Sequence, residues 1–276
     1  MTTVTETSTQ QKIKPQMGTV GLFVTCLIDT VRPSVGFASL NLLEKAGCEV
    51  VVPKSQTCCG QPAFNSGDDQ GTARIAQQVI ESFSSFDYVV VPSGSCAAMI
   101  KRHFIEVFAD QPEWLEKANA LAHKTHELLS FLVDYCHYEP EEIQLQGSFT
   151  YHDSCSGLRE LNVYKQPREL LSKIEGLKHQ PLARSTECCG FGGTFCVKYP
   201  DISNAIVGEK VEHILATNAE LLLGGDIGCL MNIAGKLNRM GHKQIKVLHT
   251  AEVLAGMASE LLPDSDQTAM SKKKLR

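Results

Sequence analysis

The sequence predicts an α/β protein built from two similar units, each a mainly parallel sheet flanked by helices. Three observations carry that prediction. Short apolar runs alternate with stretches of helical periodicity along the chain. Cysteines recur just past the ends of those runs. Their spacing also repeats: Cys26 to Cys58 spans 32 residues and Cys155 to Cys188 spans 33, while Cys59 to Cys96 spans 37 and Cys189 to Cys229 spans 40. Eight of the eleven cysteines fall on this grid, which marks an internal duplication rather than core packing.

The elements follow in order. Val20 to Val24 is a β-prone run ending near Cys26. Pro33 opens a helix whose apolar residues Phe37, Leu40, Leu43 and Ala46 recur at helical spacing, and Gly47 ends it. Val50 to Val52 is a second strand before Cys58-Cys59-Gly60, and Asp68 to Phe83 is helical. Asp87 to Pro92 is a continuous apolar run of the buried parallel kind. It delivers Ser93-Gly94-Ser95-Cys96 and a helix to Phe108. Trp114 to Cys136 reads as a long helical connection with Leu121, Leu128, Leu129, Leu132 and Val133 as its stripe. The pattern then restarts with a strand at Phe149 to His152, a helix at Pro167 to Ile174 and a short linker to Cys188-Cys189-Gly190. A helix at Ile202 to Leu215, a strand at Ala219 to Leu223 and a helix at Met231 to Met240 follow. A strand at Val247 to Thr250 and a helix to Met257 close the chain. The expected organisation is a disordered lead over residues 1–17, a first unit over 18–112, a helical connection over 113–147, a second unit over 148–258 and a flexible tail over 259–276.

Each cysteine therefore sits beyond a strand and near a helix start, where open α/β sheets put their sites. With 276 residues, 43% hydrophobic and 21% charged, the chain has ordinary globular usage. Its net charge of −5 and lack of a basic stripe beyond Lys272-Lys273-Lys274 argue against a nucleic-acid partner. No apolar run is long enough for a membrane helix, and the first residues are not a secretory signal, so a cytoplasmic location is expected. In a reducing compartment, clustered cysteines bind metal or do redox work.

Adjacent cysteines close a disulfide only with strain, and both face one centre only on a turn that glycine makes available. Each half offers four thiols from three loops: Cys26, Cys58, Cys59 and Cys96, then Cys155, Cys188, Cys189 and Cys229. Four thiolates suit tetrahedral zinc or an iron–sulfur cluster. Compact C-x₂₋₄-C knuckles are absent, and a cluster can take ligands from distant loops, so iron–sulfur is the preferred reading and zinc the alternative. Gly60, Gly94, Gly190, Gly192, Gly193 and Gly228 would let backbone N–H groups approach the sulfurs.

These residues resemble a known family. The pattern Cys…Cys-Cys-Gly…Cys, twice, resembles the cysteine-rich CCG domain found in heterodisulfide reductase and in the glycolate oxidase iron–sulfur protein. Cys26-Leu27-Ile28-Asp29, Tyr151-His152-Asp153-Ser154-Cys155, Glu187 to Phe195 and Gly228-Cys229-Leu230-Met231-Asn232 look most like the lactate utilization protein A group. The resemblance spans Val20 to Met257. It implies two Rossmann-like CCG units related by an approximate twofold, with one or two 4Fe-4S clusters or zinc in one site. It also implies a non-NAD complex oxidising L-lactate to pyruvate, in which this chain transfers electrons and is inactive alone. The implied partners are a ferredoxin-type iron–sulfur subunit and a third lactate-utilization subunit, through which the complex could associate with a membrane. The wider pattern ends each repeat in Cys-x-x-Cys; here Met99 and Asn232 stand in the last position, which points away from non-cubane clusters.

Around the sites, His152 and Asp153 precede Cys155, whereas the equivalent positions in the first half are Phe23 and Val24. One reading makes them a proton-handling pair at a reactive second site; the other makes them a hydrogen-bonded brace. Arg159 and Arg184 are either carboxylate holders or surface groups. Cys196 reads as a bystander, Cys48 and Cys136 as core residues, and His123 with His126 as a solvated helix face. No G-x-G-x-x-G or P-loop opens either unit, which argues against a nucleotide cofactor.

Overall fold

The computed structural model describes residues 17–258, so the expected disordered lead, except Met17, and all of the expected tail lie outside the described residues. Strands β1 (Met17–Leu22), β2 (Cys48–Val51), β3 (Tyr88–Val91) and β4 (Thr125–Glu127) form one sheet in the order β2-β1-β3-β4. Strands β5 (Gln144–His152), β6 (Glu175–His179), β7 (Leu221–Gly224) and β8 (Lys246–His249) form a second, in the order β6-β5-β7-β8. Every pairing is parallel. The two units thus share one strand order, as the cysteine repeat predicts.

Buried parallel strands need apolar residues on both faces. Val89, Val90 and Val91 of β3 and Leu221, Leu222 and Leu223 of β7 meet that need, each at 0% exposure. The larger apolar core runs from Val20, Leu22 and Leu42 in the first unit to Leu222, Ile233 and Leu248 in the second. The halves therefore share a core.

Packing across the boundary is reciprocal. The helix after β3 (Gly94–Ala98) lies on the helix after β5 (Cys155–Leu161), and the helix after β1 (Cys26–Val31) meets the one after β7 (Ile227–Arg239). Gly94 is obligatory in the first contact, because a Cβ there would stand 2.9 Å from Gly157 Cα. On the other side, Arg32 donates to Glu252 Oε1 at 2.8 Å, and the Glu252 side chain is fully buried.

Several expectations are corrected. The Trp114–Cys136 stretch is interrupted: its helix (Pro112–Lys124) stops, β4 follows, and helix resumes at Leu128. His126 therefore lies on a strand rather than a solvated helix face, buried against Tyr88, Phe131 and Tyr135, and burial holds its imidazole down at about 4. The linker before Cys188 contains edge strand β6. In the helix Pro33–Lys45 the inward face is Val35, Ala38, Leu42 and Leu43, while Phe37 is exposed. The helix through Cys96 contains a π turn at Met99–His103.

Candidate metal centres

Four helices bring cysteines to the carboxyl ends of the central strands, and each starts on a side-chain cap. Thr25 Oγ1 accepts from Ile28 N, Ser154 Oγ from Gly157 N, Ser93 Oγ from Cys96 N, and Asp226 Oδ1 from Gly228 N. Cys26 and Cys155 open their helices, while Cys96 and Cys229 stand in the first turn. Helix N-termini favour thiolate. β1 and β3, like β5 and β7, are adjacent strands whose connections leave in opposite directions, so the sites occupy the topological switch points.

The adjacent cysteines come from the loops after β2 and β6. Gly60 and Gly190 follow each pair with φ of +86° and +77°, the left-handed turn that brings both thiols inward. Ser203 Oγ donates to Gly190 O at 2.8 Å, and Asn232 Nδ2 donates to Cys189 O at 2.9 Å. Asn232, in the place of a fifth cysteine, thus holds the loop's backbone, and Met99 is buried in the first unit's core.

The first quartet converges. Cys26 Sγ lies 3.7 Å from Cys58 Sγ, and Cys59 Sγ lies 3.3 Å from Cys96 Sγ. All four line a cavity of about 230 Å³ closed by Phe191, Gly193 and Gly228 from the second unit. Gly192 carries the same loop across, its carbonyl accepting from Asn65 Nδ2 at 3.4 Å. The second quartet pairs in the same manner, Cys155 with Cys188 and Cys189 with Cys229. A Cβ on Gly228 would strike the Phe191 ring at 2.5 Å, so the aromatic wall of the first cavity depends on glycine there.

In the Cys26–Cys58 pair one sulfur holds the proton. The hydrogen bond to Cys58, with burial, pushes the Cys26 thiol up, while that bond holds Cys58 far down as thiolate. Cys155 is pushed up by its bond to Cys188 and by burial. Cys229 is lowered by its bond to Cys189, but burial wins and leaves it at about 11. Loading either quartet with metal would therefore release protons. The donor set fits a thiophilic group, four soft sulfurs per site, and the first site has the room for one.

The expected His152–Asp153 pair is not formed. Asp153 takes both of its bonds from Arg168, at 2.8 Å each, and Arg168 stacks 3.8 Å from the Tyr164 ring centroid. His152 is 1% exposed, and both ring nitrogens lack a hydrogen-bond partner. Burial, and then the Lys210 charge, lower its imidazole to about 3, so it is neutral. Arg159 Nη2 donates to Thr186 O at 2.8 Å and Arg184 pairs with Glu187, so both serve the cysteine loop. Cys196 Sγ donates to Gly193 O at 3.5 Å, and the Cys48 and Cys136 sulfurs lie 3.9 Å apart, away from both quartets. Sequence reasoning missed Lys210: it is fully buried and donates to Arg184 O and Ser185 O just before Cys188. It missed Asp226 too, although Asp-x-Gly-Cys is a readable cap signature.

Fold and site together define a duplicated α/β protein with a cysteine quartet at the carboxyl end of each sheet. A family model for the cysteine-rich domain, CCG, matches residues 20–101 and 149–234. Lactate utilization protein A of Geobacillus sp. (strain WCH70) is 51% identical over 85% of this chain and 98% of its own length. The protein of that name from Shouchella clausii (strain KSM-K16) is 51% identical with the same coverage. A crystal structure of a hypothetical protein from Helicobacter pylori superposes with a TM-score of 0.63 at 12% identity. It covers 91% of this chain and 50% of that one, and so shares the fold. The chain belongs to the cysteine-rich CCG domain family, in the group formed by the lactate utilization protein A relatives. Among the described residues no helix is long and apolar enough to cross a membrane.

Proposed function

We propose that this chain is the iron–sulfur subunit of a multi-subunit oxidoreductase that converts L-lactate to pyruvate, with the cysteine quartets holding the clusters. The observation that carries the reading is the convergence of Cys26, Cys58, Cys59 and Cys96 on a cavity larger than one ion requires. The names of the relatives support the substrate. Oxidation of lactate releases two electrons and two protons, whereas a four-iron cluster passes electrons singly. The substrate-oxidising step therefore belongs to the assembled complex, with a ferredoxin-type subunit and a third subunit as partners in the cytoplasm.

When bound, a cluster would supply one-electron transfer; this chain's residues would hold and insulate it. The capped helix N-termini would stabilise its thiolates, the Phe191 ring would wall one side of the first site, and the Gly60 and Gly190 turns would aim the adjacent cysteines. A second reading, zinc in a structural site, draws on one observation: sulfurs 3.3–3.7 Å apart are close to the edge of a ZnS₄ tetrahedron, about 3.8 Å for Zn–S bonds of about 2.3 Å.

Anaerobic purification decides between them. The expected protein is brown, carries iron and sulfide, and is reduced by lactate only with its partner subunits present. Cys→Ser at any quartet position should lower iron content, whereas Cys48→Ser and Cys136→Ser should not. Colourless protein with stoichiometric zinc would overturn the redox reading.

A further inference from the structure

The two centres differ at one position. Three residues before the first cysteine of each quartet, the first unit has Phe23 and the second has His152. Phe23 is fully buried and packs 5.4 Å, centroid to centroid, from Phe83, as a core residue should. His152 is equally buried, yet neither ring nitrogen has a partner. An imidazole shut away from water with both nitrogens unsatisfied is costly, and it is rare unless something outside the protein takes up the bond.

What the ring faces indicates the occupant. A ring nitrogen of His152 and the sulfurs of Cys189 and Cys229 all lie within 4.8 Å of one another, and all three residues are buried. Nitrogen at about 2.0–2.1 Å and sulfur at about 2.3 Å from one metal would stand within that separation. The strand fixes the histidine: His152 is the last residue of β5 and pairs in register with Gly224 of β7, so the ring is aimed by the sheet rather than by a loop. Lys210, whose charge reaches the ring, is occupied by the carbonyls of Arg184 and Ser185. Asp153, the neighbouring carboxylate, is occupied by Arg168.

We propose that the second centre is a mixed cysteine–histidine site, in which His152 donates an imidazole nitrogen to the metal alongside Cys189 and Cys229. This rests on the reading of the quartets as metal centres, though not on which metal they hold. The first centre, with phenylalanine at the matching position, stays all-cysteine. For an iron centre, a neutral nitrogen at that position stabilises the reduced state relative to an anionic sulfur there, so replacing His152 by cysteine lowers the potential.

The test uses the full-length protein, purified anaerobically, with its metal content measured first. For iron, pulsed EPR of the reduced protein labelled with ¹⁵N-histidine should show a strongly coupled histidine nitrogen. The signal should persist in Cys58→Ser, which disables the first centre, and vanish in His152→Cys. His152→Cys should retain iron and shift the second centre to a lower potential, so that the lost coupling is not lost folding. For zinc, X-ray absorption should give a nitrogen scatterer in wild type that disappears in His152→Cys. Metal-replete wild-type protein showing only sulfur ligation would overturn the histidine ligand while leaving the metal-centre reading intact. Protein that binds no metal would overturn both.

Discussion

Ser93 and Asp226 cap equivalent helices in opposite units, and they are hydrogen-bonded to each other across the boundary. Ser93 Oγ donates to Asp226 Oδ2 at 3.1 Å, and Ser95 N donates to that oxygen at 2.9 Å. Asp226 Oδ1 meanwhile accepts from Gly228 N of its own helix. One buried carboxylate thus serves the N-termini that carry Cys96 and Cys229, so the two cysteine quartets share a support.

Asp226→Ala should accordingly damage both. Loss of a cap costs about 1 kcal/mol, and unpairing buried donors from a charged acceptor costs about 1–3 kcal/mol more. Denaturant unfolding should show a loss of roughly 2–4 kcal/mol, and metal analysis should show both centres depleted together. Depletion of the second centre alone would mean that the Ser93 link carries no weight.

The CCG glycines are equivalent in sequence but not in surroundings. Both have left-handed φ, which costs a non-glycine residue about 1–2 kcal/mol. A Cβ on Gly60 would meet side chains alone, Ile75 at 3.3 Å and Thr72 at 3.9 Å, whereas on Gly190 it would meet the Ser203 carbonyl oxygen at 2.8 Å. Side chains yield more readily than backbone. Gly190→Ala should lower Tm by more than Gly60→Ala and deplete the second centre, a ranking that thermal melts and metal content of the two variants would check.

Lys210 places a positive charge beside the second quartet, because its ammonium is buried near Cys188 and Cys189 and held by two carbonyls. Lys210→Met keeps much of the buried volume and removes the charge. A lost positive charge disfavours the added electron, so the potential of the second centre should fall, on the order of 50–100 mV. EPR-monitored redox titration would show it, and the first centre should not move.

Different parts of this architecture were legible to different degrees. The quartets could be read because the sheet fixes where loops emerge, and duplicated spacing in sequence becomes duplicated placement in space. Val89-Val90-Val91 announced β3 because a strand buried on both faces has no polar residues to confuse it. Thr125-His126-Glu127 gave no such signal: β4 is three polar residues long, and helical periodicity runs up to it from both sides. Glu175 to His179 was illegible for the opposite reason, as an exposed edge strand that needs little apolar character. Lys210 carried no signal of its own within the helix, and only tertiary packing shows that its partners are backbone carbonyls.

Those buried polar ends of β4 also set the pH response. Glu127 ends the strand, is 3% exposed, and accepts from Ser130 N at 3.0 Å. Burial raises its carboxyl to about 8; the bonds from Ser130 and Leu129 oppose the shift, and the charges of Asp226 and Asp134 add to it. In the unfolded chain the group ionises near 4.5. Between those values the folded protein holds a proton that the unfolded chain has released, so Glu127 makes stability fall as pH rises through that window. His249, buried and lowered to about 4, acts oppositely: stability falls as pH drops below the imidazole's ordinary 6.5. Glu127→Gln keeps a neutral acceptor for Ser130 N and removes only the carboxyl titration, leaving the His249 contribution in place. The variant should match wild type near pH 4.5 and exceed it increasingly up to pH 8, by up to about 1.4 kcal/mol per pH unit. Melting curves of both proteins at pH 5, 6.5 and 8 measure the gap, and a constant difference across that range would show that Glu127 is already ionised in the fold.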